Sequence, residues 1–344
     1  FHVFLGPGPM KSIDTKEFPD NFHFYEFNFG SLSLLNARRI NKVLSEFEVL
    51  IQPDCIVTSS GPSYWHSHAP QVMGFNLPLY IYPESPYLKK LPPQKKLKLH
   101  LKKKIHKYFI KRDGDAFFTQ TEDVKIRTQK FLDTSNIFTI SNTYNDFYLQ
   151  PKIFKNKLPK KDQKKRFLTL SAYYAHKNIE LIPVILEILS SRQINDIQFI
   201  LSLDEKDFEV IINYEHSDSI LNVGAINPEE APSLYMECDF MFLPTLAECF
   251  SASYPEAMVM KKPIVTTDLG FARNICGDAA LYYTPMDPVA AADAIETLID
   301  QPALQKQLVE NGLKRLKSFD NAQQRATKIL SLCKKMVNEK GNRR

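Results

Sequence analysis

Short runs of apolar and β-branched residues alternate with segments of helical spacing along nearly the whole chain, and this alternation constrains the fold more than any other feature. Strands separated by helices run parallel, because each helix returns the chain to the edge where the previous strand began. The strand-like runs are 1–5, 22–27, 55–59, 79–82, 116–119 and 137–140, and later 167–170, 198–203, 220–223 and 240–243. The pattern predicts an α/β fold with doubly wound, Rossmann-like sheets.

The alternation is interrupted once, between 148 and 166, where the chain is polar, rich in lysine and contains Pro151 and Pro159. A stretch of this composition is typical of a linker, and 344 residues are enough for two domains. We therefore predict a first domain at 1–150, a linker at 151–166 and a second domain at 167–318. Apolar residues at steps of three and four between 321 and 337 predict that 319–344 forms a helix that crosses back to the first domain.

Composition excludes several classes of protein. The longest apolar runs fall far short of the roughly 20 residues that a membrane-spanning helix needs. The five cysteines are widely spaced and form no Cys-x-x-Cys pair, which favours a reducing, cytoplasmic setting. The chain opens at Phe1, inside a strand-like run, so we expect a further segment ahead of it; no signal peptide is visible.

Lysine and arginine crowd the segment 89–112, in which no acidic residue occurs. Leu97, Leu101, Ile105, Tyr108 and Phe109 recur there at helical spacing, which predicts a basic amphipathic helix. Two interpretations remain open: an ordinary solvated helix face, or a surface that docks on the anionic inner face of a membrane. Aromatic residues are not interleaved with the charges as single-stranded nucleic acids require, so no nucleic-acid partner is expected.

The stretch from Leu243 to Met258 carries the most chemistry. A predicted strand ends at Pro244, a loop carries Glu248, and a helix is expected to begin near Ser253 with Glu256 in its first turn. In a parallel sheet this junction faces the ligand crevice. Free backbone amides at such a junction suit a diphosphate, and carboxylates accept hydrogen bonds from sugar hydroxyls.

A structural interpretation of the same residues competes with this one. Ser253-x-x-Glu256 fits a capping box, in which Glu256 bonds only to the start of its own helix. Glu248 is equally consistent with an ordinary exposed acidic residue in a loop that binds no ligand. Spacing alone does not separate the two interpretations.

The wider motif resembles the Glu-x7-Glu signature of the retaining family-4 glycosyltransferases of GT-B fold. Further similarity lies in the His176-Lys177-Asn178 loop, the runs 223–230 and 262–267, and the segment 276–282. These motifs occur in the family's order from about Arg166 to the end of the chain. The resemblance to the first domain is looser.

The resemblance implies a reaction in which a sugar passes from a nucleoside diphosphate sugar to a saccharide or lipid-linked acceptor, in cell-surface polysaccharide or glycolipid biosynthesis. Glu248 and Lys177 would be catalytic, and no metal or cofactor would be needed. The donor-binding residues that it implies are Glu256, Cys249, Phe250, Ser251, Gly224 and Asn227. On the acceptor side, Gly61 and His66 follow a predicted strand and are expected to face the cleft; a surface or packing role fits His66 equally well.

One position departs from the family pattern: Ala172 stands where the family usually has arginine. Either Lys177 and the backbone amides suffice, another basic residue such as Arg273 replaces it, or turnover is slow. A nucleotide-sugar isomerase or hydrolase, and a non-catalytic nucleotide-sugar-binding protein, remain alternatives. We interpret Asp113-Gly114-Asp115 as a turn, and a metal site built on His66 and His68 stays an open alternative because the sequence supplies no third ligand.

Overall fold

The computed structural model describes residues 1–29, 36–160, 163–211 and 218–341. The strands are β1 (His2–Leu5), β2 (His23–Glu26), β3 (Ile56–Thr58), β4 (Gln71–Gly74), β5 (Ala116–Thr119), β6 (Ile137–Thr139), β7 (Lys165–Thr169), β8 (Ile197–Leu201), β9 (Ile220–Asn222), β10 (Phe240–Leu243), β11 (Ile264–Thr267) and β12 (Ala280–Tyr283). The helices are α1 (Pro7–Ser12), α2 (Ala37–Ile51), α3 (Pro78–Ile81), α4 (Pro86–Lys90), α5 (Pro93–Asp113), α6 (Glu122–Leu132), α7 (Leu181–Ser191), α8 (Glu205–Ile211), α9 (Ala231–Glu237), α10 (Ser253–Val259), α11 (Gly270–Cys276), α12 (Pro288–Asp300), α13 (Pro302–Leu316) and α14 (Ala322–Gly341).

The first half of the chain contains two parallel sheets. One pairs β1 with β2, and the other has the order β3-β4-β5-β6. The central strands β4 and β5 are buried along their whole length, as expected for strands with helices on both faces. Met73 and Phe117 enter the main apolar core, while Val72 and Phe118 pack on the other face.

The prediction of a strand at 79–82 is wrong. That segment forms the short helix α3, which begins at Pro78, and the strand of this unit is β4. Proline suits the first turn of a helix because its missing N–H is not needed there. β4 was missed because it is only four residues long and contains Gln71 and Gly74. Glycine is required at 74, since a Cβ there would lie 2.1 Å from the Ser59 carbonyl oxygen.

The second half forms one six-stranded parallel sheet with the order β12-β11-β10-β7-β8-β9. β8 and β9 extend it on one side of β7, whereas the chain then crosses to β10 on the other side. The strand order therefore reverses between β7 and β10. At such a switch point of a parallel sheet, the expected place for a ligand is beyond the carboxyl ends of the two strands.

Helix α14 packs on the four-stranded sheet of the first half. Its residues Leu332, Cys333 and Met336 are buried against a cluster that includes Val72 and Phe118. Just before the helix, Asp320 N donates to Ser141 Oγ at 2.6 Å. Helix α14 thus returns the chain to the four-stranded sheet. The domain limits at 150, 166 and 318 stay predictions.

The two halves also touch directly beside the crevice. Ser85 Oγ donates to the Leu246 carbonyl oxygen at 2.8 Å, and the rings of Tyr82 and Phe271 meet at 6.0 Å. The chain is a two-part α/β structure whose parts are in contact at these residues. Across the described residues, no helix combines the length and apolar character that crossing a bilayer requires.

Candidate functional site

The loops that follow β7 and β10 meet at the switch point. The first contains a 3₁₀ turn at Ala175–Lys177, and the second runs from Pro244 to the start of α10. Leu246 N donates to the His176 carbonyl oxygen at 2.8 Å, which fastens one loop to the other. Two loops that lie far apart in the sequence are therefore held together at the carboxyl ends of two neighbouring strands.

Lys177 and Glu248 form an ion pair at this junction. Lys177 Nζ donates to Glu248 Oε1, and Thr245 Oγ1 donates to the same oxygen at 3.1 Å. The two side chains are only 13% and 11% exposed. Because both side chains are shielded from water, the electrostatic attraction between them is strong. A charged ligand that binds to either side chain experiences the same weak screening.

The backbone after Glu248 offers free donors. Within the part of the chain that the structure describes, the N–H groups of 249–252 take part in no hydrogen bond. Cys249, Phe250 and Ser251 are nonetheless buried. Buried N–H groups are nearly always paired in native proteins, so this loop is suited to an acceptor-rich ligand such as a diphosphate.

Glu256 lies in the first turn of α10, and the capping-box interpretation is wrong. Ala252 is the N-cap, and Ser253 Oγ donates instead to the Leu170 carbonyl oxygen at 3.0 Å. The carboxyl is not engaged with its own helix start. Burial raises the pKa of Glu256 to about 7, while a hydrogen bond from the Tyr148 hydroxyl opposes this rise.

His176 precedes Lys177 but carries no charge at neutral pH. Burial, and secondarily the neighbouring Lys177, lower the pKa of His176 to about 4. The ammonium of Lys177 is therefore the positive charge that this loop brings to the junction.

The remaining predicted donor residues lie on two loops, the one after β9 and the one after β10. Gly224 adopts a left-handed backbone (φ +75°) after β9, a conformation that glycine tolerates best. Asn227 N donates to Glu230 Oε2 at 2.9 Å in a capping box, so it shapes the turn before α9. Phe250 packs edge-on against Phe319 at 5.7 Å, and burial raises the pKa of the Cys249 thiol well above its usual value.

The two predicted acceptor-side residues, Gly61 and His66, lie at opposite ends of the strands of the four-stranded sheet. Gly61 N donates to the Gly74 carbonyl oxygen at the carboxyl end of β4, and a Cβ at Gly61 would lie 2.1 Å from Met73 Sδ. Close packing thus explains this glycine. His66 Nδ1 lies 3.2 Å from the carbonyl oxygen of Arg112, just before β5 begins. The segment has turned back by that point, so His66 lies at the amino edge, away from the cleft.

The structure also locates Arg273, the residue considered as a replacement for the arginine that the family usually has at the position of Ala172. Arg273 donates to both carboxylate oxygens of Asp268, at 2.5 and 2.8 Å, and lies over the Tyr282 ring. Arg273 is thus paired with Asp268, as Lys177 is paired with Glu248. Asp113-Gly114-Asp115 is the end of α5 and the turn into β5, where Asp115 Oδ2 accepts from Gln71 N.

Sequence reasoning missed the contribution of α4. Ser85 is bonded to the Glu248 loop, and the Tyr87 ring lies 6.0 Å from that of His176. The run 79–82 had been assigned to a strand, and no helix was expected directly after it. The run Pro83-Glu84-Ser85-Pro86, with two prolines, was the available signal for a break and a new helix.

Residues 151–315, a little under half of the chain, match the family described as glycosyl transferases group 1. The chain is 27% identical over 127 residues to the alpha-D-kanosaminyltransferase of Streptomyces kanamyceticus, covering 35% of this chain and 33% of that protein. It is 22% identical over 232 residues to the O-antigen chain mannosyltransferase RfbU of Salmonella typhimurium, covering 65% and 59%. The alignments thus span less than two thirds of either relative.

Solved structures share the fold over nearly the whole chain. A glycosyltransferase from Rickettsia africae superposes with a TM-score of 0.72 at 18% identity, covering 98% of this chain and 90% of that one. Anabaena Alr3699/HepE in complex with UDP and glucose gives 0.63 at 16% identity, covering 93% and 86%. The fold is GT-B, and residues 151–315 match the family of glycosyl transferases group 1.

Proposed function

We propose that the protein is a retaining glycosyltransferase of family-4 type, which moves a sugar from a nucleoside diphosphate sugar to a saccharide or lipid-linked acceptor. One observation carries the proposal: the Lys177–Glu248 pair lies beside a buried loop whose backbone N–H groups are unpaired, at the switch point of a parallel sheet. The group-1 match of the same segment supports it.

In the proposed reaction the bond between the anomeric carbon and the diphosphate oxygen breaks, and a bond from an acceptor hydroxyl oxygen to that carbon forms on the same face. The acceptor proton leaves with the diphosphate. Lys177 and the amides of 249–252 stabilise the negative charge that develops on the leaving group. Glu248 accepts hydrogen bonds from the transferred sugar and fixes its orientation, and Glu256 accepts from the ribose.

The proposal requires no metal and no resident cofactor, since the ammonium of Lys177 supplies positive charge where a cation is needed. The two curated relatives are named as transferases of kanosamine and mannose. By analogy we propose a role in cell-surface polysaccharide or glycolipid biosynthesis.

The test is donor turnover with a panel of UDP-, GDP- and ADP-sugars, followed by proton NMR of the anomeric signal. We expect one donor to be consumed and its anomeric configuration to be kept in the product. Glu248→Gln should lower kcat/KM by about 10²–10³-fold, the usual effect of losing one preorganised polar contact to the transition state. The matched control is Glu205→Gln, an exposed acid on α8 in the same half of the chain.

The outcomes separate the alternatives. Donor consumption at full rate without any acceptor would favour an isomerase or hydrolase. Donor binding without turnover would favour a non-catalytic binding protein. An unchanged rate in Glu248→Gln would exclude the site.

We also propose that the protein works on the anionic inner face of a membrane through the basic segment 89–112. Helix α5 buries His106, Phe109 and Ile110, while Leu97, Leu101, Ile105 and Tyr108 on the opposite side are 36–62% exposed. At 100° per residue the exposed apolar positions form one stripe. Exposed lysines border it on both sides, namely Lys98 and Lys102 on one and Lys104 and Lys111 on the other.

This arrangement suits a lipid surface better than a merely solvated helix face. Each lysine near an anionic membrane adds about 1 kcal/mol, and apolar side chains between the lysines can enter the headgroup boundary. The helix starts close to the cleft, because Ser85 and Tyr87 of the preceding segment contact the Glu248 and Lys177 loops. A membrane-held acceptor would then be near the donor.

Sedimentation with vesicles of phosphatidylglycerol and phosphatidylcholine tests this partner. We expect binding to the anionic vesicles that falls with salt, and about tenfold weaker binding for Leu97→Ser/Leu101→Ser. Val49→Ser/Leu50→Ser, two comparably exposed residues on α2, should bind as the natural protein does. Equal loss in both double variants, or no binding to anionic vesicles, would contradict the proposal.

A further inference from the structure

Three aromatic rings bridge the two halves of the molecule beside Lys177. The Tyr174 ring stacks on His176 with 5.7 Å between centroids and 18° between planes. The Tyr87 ring meets His176 edge-on, at 6.0 Å and 69°. Tyr174 and His176 belong to the loop after β7, whereas Tyr87 belongs to α4 of the first half. The rings therefore line the cleft where the proposed donor site faces the other half.

Core packing does not account for Tyr174. Tyr174 is 59% exposed. It lies in the loop that leads to Lys177, directly after Tyr173. The loop is not free to collapse over the ring, because the His176 carbonyl oxygen is held by Leu246 N. Ser85 Oγ holds α4 to the carbonyl oxygen of the same Leu246. A large aromatic face is thus kept in the open at a fixed position.

The ring between the two tyrosines is uncharged. Burial and the neighbouring Lys177 lower the pKa of His176 to about 4, so an imidazole rather than an imidazolium lies there at neutral pH. A neutral aromatic surface offers no attraction for a phosphate. It suits a ligand that presents a flat, apolar face.

A pyranose ring has such a face, formed by its axial C–H bonds. These carbon–hydrogen bonds are slightly positive and match the negative face of an aromatic ring, while the sugar hydroxyls point outward at the edge. Polar groups lie nearby: the hydroxyl of Tyr173, the residue before Tyr174, donates to the carboxylate of Glu180, an exposed residue just before α7. The surface therefore combines a stacking platform with hydrogen-bond acceptors at its border.

We infer that Tyr174 and Tyr87 form a binding site for a pyranose of the acceptor, stacked beside the Lys177–Glu248 pair. The inference rests on the proposed function and adds to it the chemical class of the acceptor group: a sugar ring rather than a lipid hydroxyl, a protein side chain or a nucleotide. We assign the bound sugar to the acceptor and not to the donor because Tyr87 belongs to the first half of the chain, whereas the donor loops belong to the second half.

Two measurements separate this inference from the proposed function. Calorimetry with the UDP-, GDP- and ADP-sugar panel reports donor binding alone. Saturation-transfer NMR with methyl glycosides of glucose, galactose, mannose and N-acetylglucosamine, recorded with the matching nucleoside diphosphate present, reports the acceptor site. Failure of the first overturns the donor assignment, and failure of the second with the first intact overturns only the aromatic site.

We expect at least one methyl glycoside to receive saturation on its axial ring protons. The signal should persist in Tyr174→Phe, which keeps the ring, and disappear in Tyr174→Ala and Tyr87→Ala. In transfer assays with that glycoside, Tyr174→Ala should raise the acceptor KM about tenfold or more, as loss of one well-packed aromatic contact does, while the donor KM stays unchanged.

A matched control checks that the loss is local. Val210→Ala removes an exposed apolar side chain from α8 in the same half of the chain and should change neither measurement. The inference is overturned if no glycoside of the panel binds, if Tyr174→Ala keeps its acceptor KM, or if the donor KM rises as much as the acceptor KM.

Discussion

Glu256 gives the proposed donor site a measurable pH dependence. Burial raises the pKa of this carboxyl from 4.5 to about 7. At pH 6 about a tenth of the molecules carry it ionised, and at pH 8 about nine tenths do. Only the carboxylate accepts two hydrogen bonds from a ribose diol. The apparent Kd for the nucleotide sugar should therefore be about tenfold lower at pH 8 than at pH 6.

The assay is isothermal titration calorimetry between pH 6 and pH 8 with an intact nucleotide sugar. A nucleotide sugar is preferable to a nucleoside diphosphate, because a terminal phosphate titrates near pH 6 and would add its own dependence. His176 does not interfere, since its pKa of about 4 keeps it neutral throughout this range. Glu256→Gln should bind more weakly at pH 8 and lose the dependence.

The same carboxyl affects folding stability in a defined direction. Its pKa is higher in the folded state, so the folded protein loses stability relative to the unfolded chain as pH rises from 4.5 to about 7. The difference amounts to about 3 kcal/mol at pH 8. Glu256→Gln should therefore unfold at higher urea than the natural protein at pH 8, and similarly at pH 4. A pH-independent donor Kd, together with equal stabilities at pH 8, would refute the reasoning.

Two further predictions concern the pair and the last helix. Lys177→Ala should lower kcat by about 10²–10³-fold. Lys177→Arg should have an intermediate kcat, because it keeps the charge but not the compact ammonium. Steady-state kinetics measures both variants, and circular dichroism checks that they are folded. Leu332→Ala, at a residue 5% exposed between α14 and the first sheet, should cost about 2–5 kcal/mol in urea unfolding, whereas the 45% exposed Leu330→Ala should change it by less than about 0.5 kcal/mol. Equal effects of Leu332→Ala and Leu330→Ala would mean that α14 does not pack as described.

The second half was the easier part to predict from sequence. Its strands β8 and β10 are mainly apolar and buried along their length, β7 is buried from Arg166 onward, and the loops between them carry the motifs. A short apolar run between turn signals is a strong indication of a buried parallel strand. The order of strands in the sheet, which creates the crevice, follows from long-range pairing and is not encoded in any local pattern.

The first half shows where such patterns fail. The apolar run Leu79 to Tyr82 was assigned to a strand, but Pro78 starts a helix there and the weaker segment Gln71–Gly74 forms the strand. Short apolar runs do not distinguish a buried helix from a strand. Because a strand was expected at 79–82, the helix that follows it and its residue Tyr87 were missed.

Side-chain geometry resolved an ambiguity that spacing left open. Ser253-x-x-Glu256 fits both a capping box and a ligand site. The hydrogen bond from Ser253 Oγ to the Leu170 carbonyl oxygen, together with Ala252 as the N-cap, excludes the capping box. The proximity of Lys177 to Glu248 likewise depends on the adjacency of β7 and β10, strands that lie far apart in sequence.

A crystal structure of the protein with its bound nucleotide sugar tests the central claim most directly. The account predicts the pyrophosphate between Lys177 Nζ and the amides of 249–252, the ribose diol on Glu256, and hydroxyls of the transferred sugar on Glu248. Density for the nucleotide sugar elsewhere, with the Lys177–Glu248 pair untouched, would contradict it.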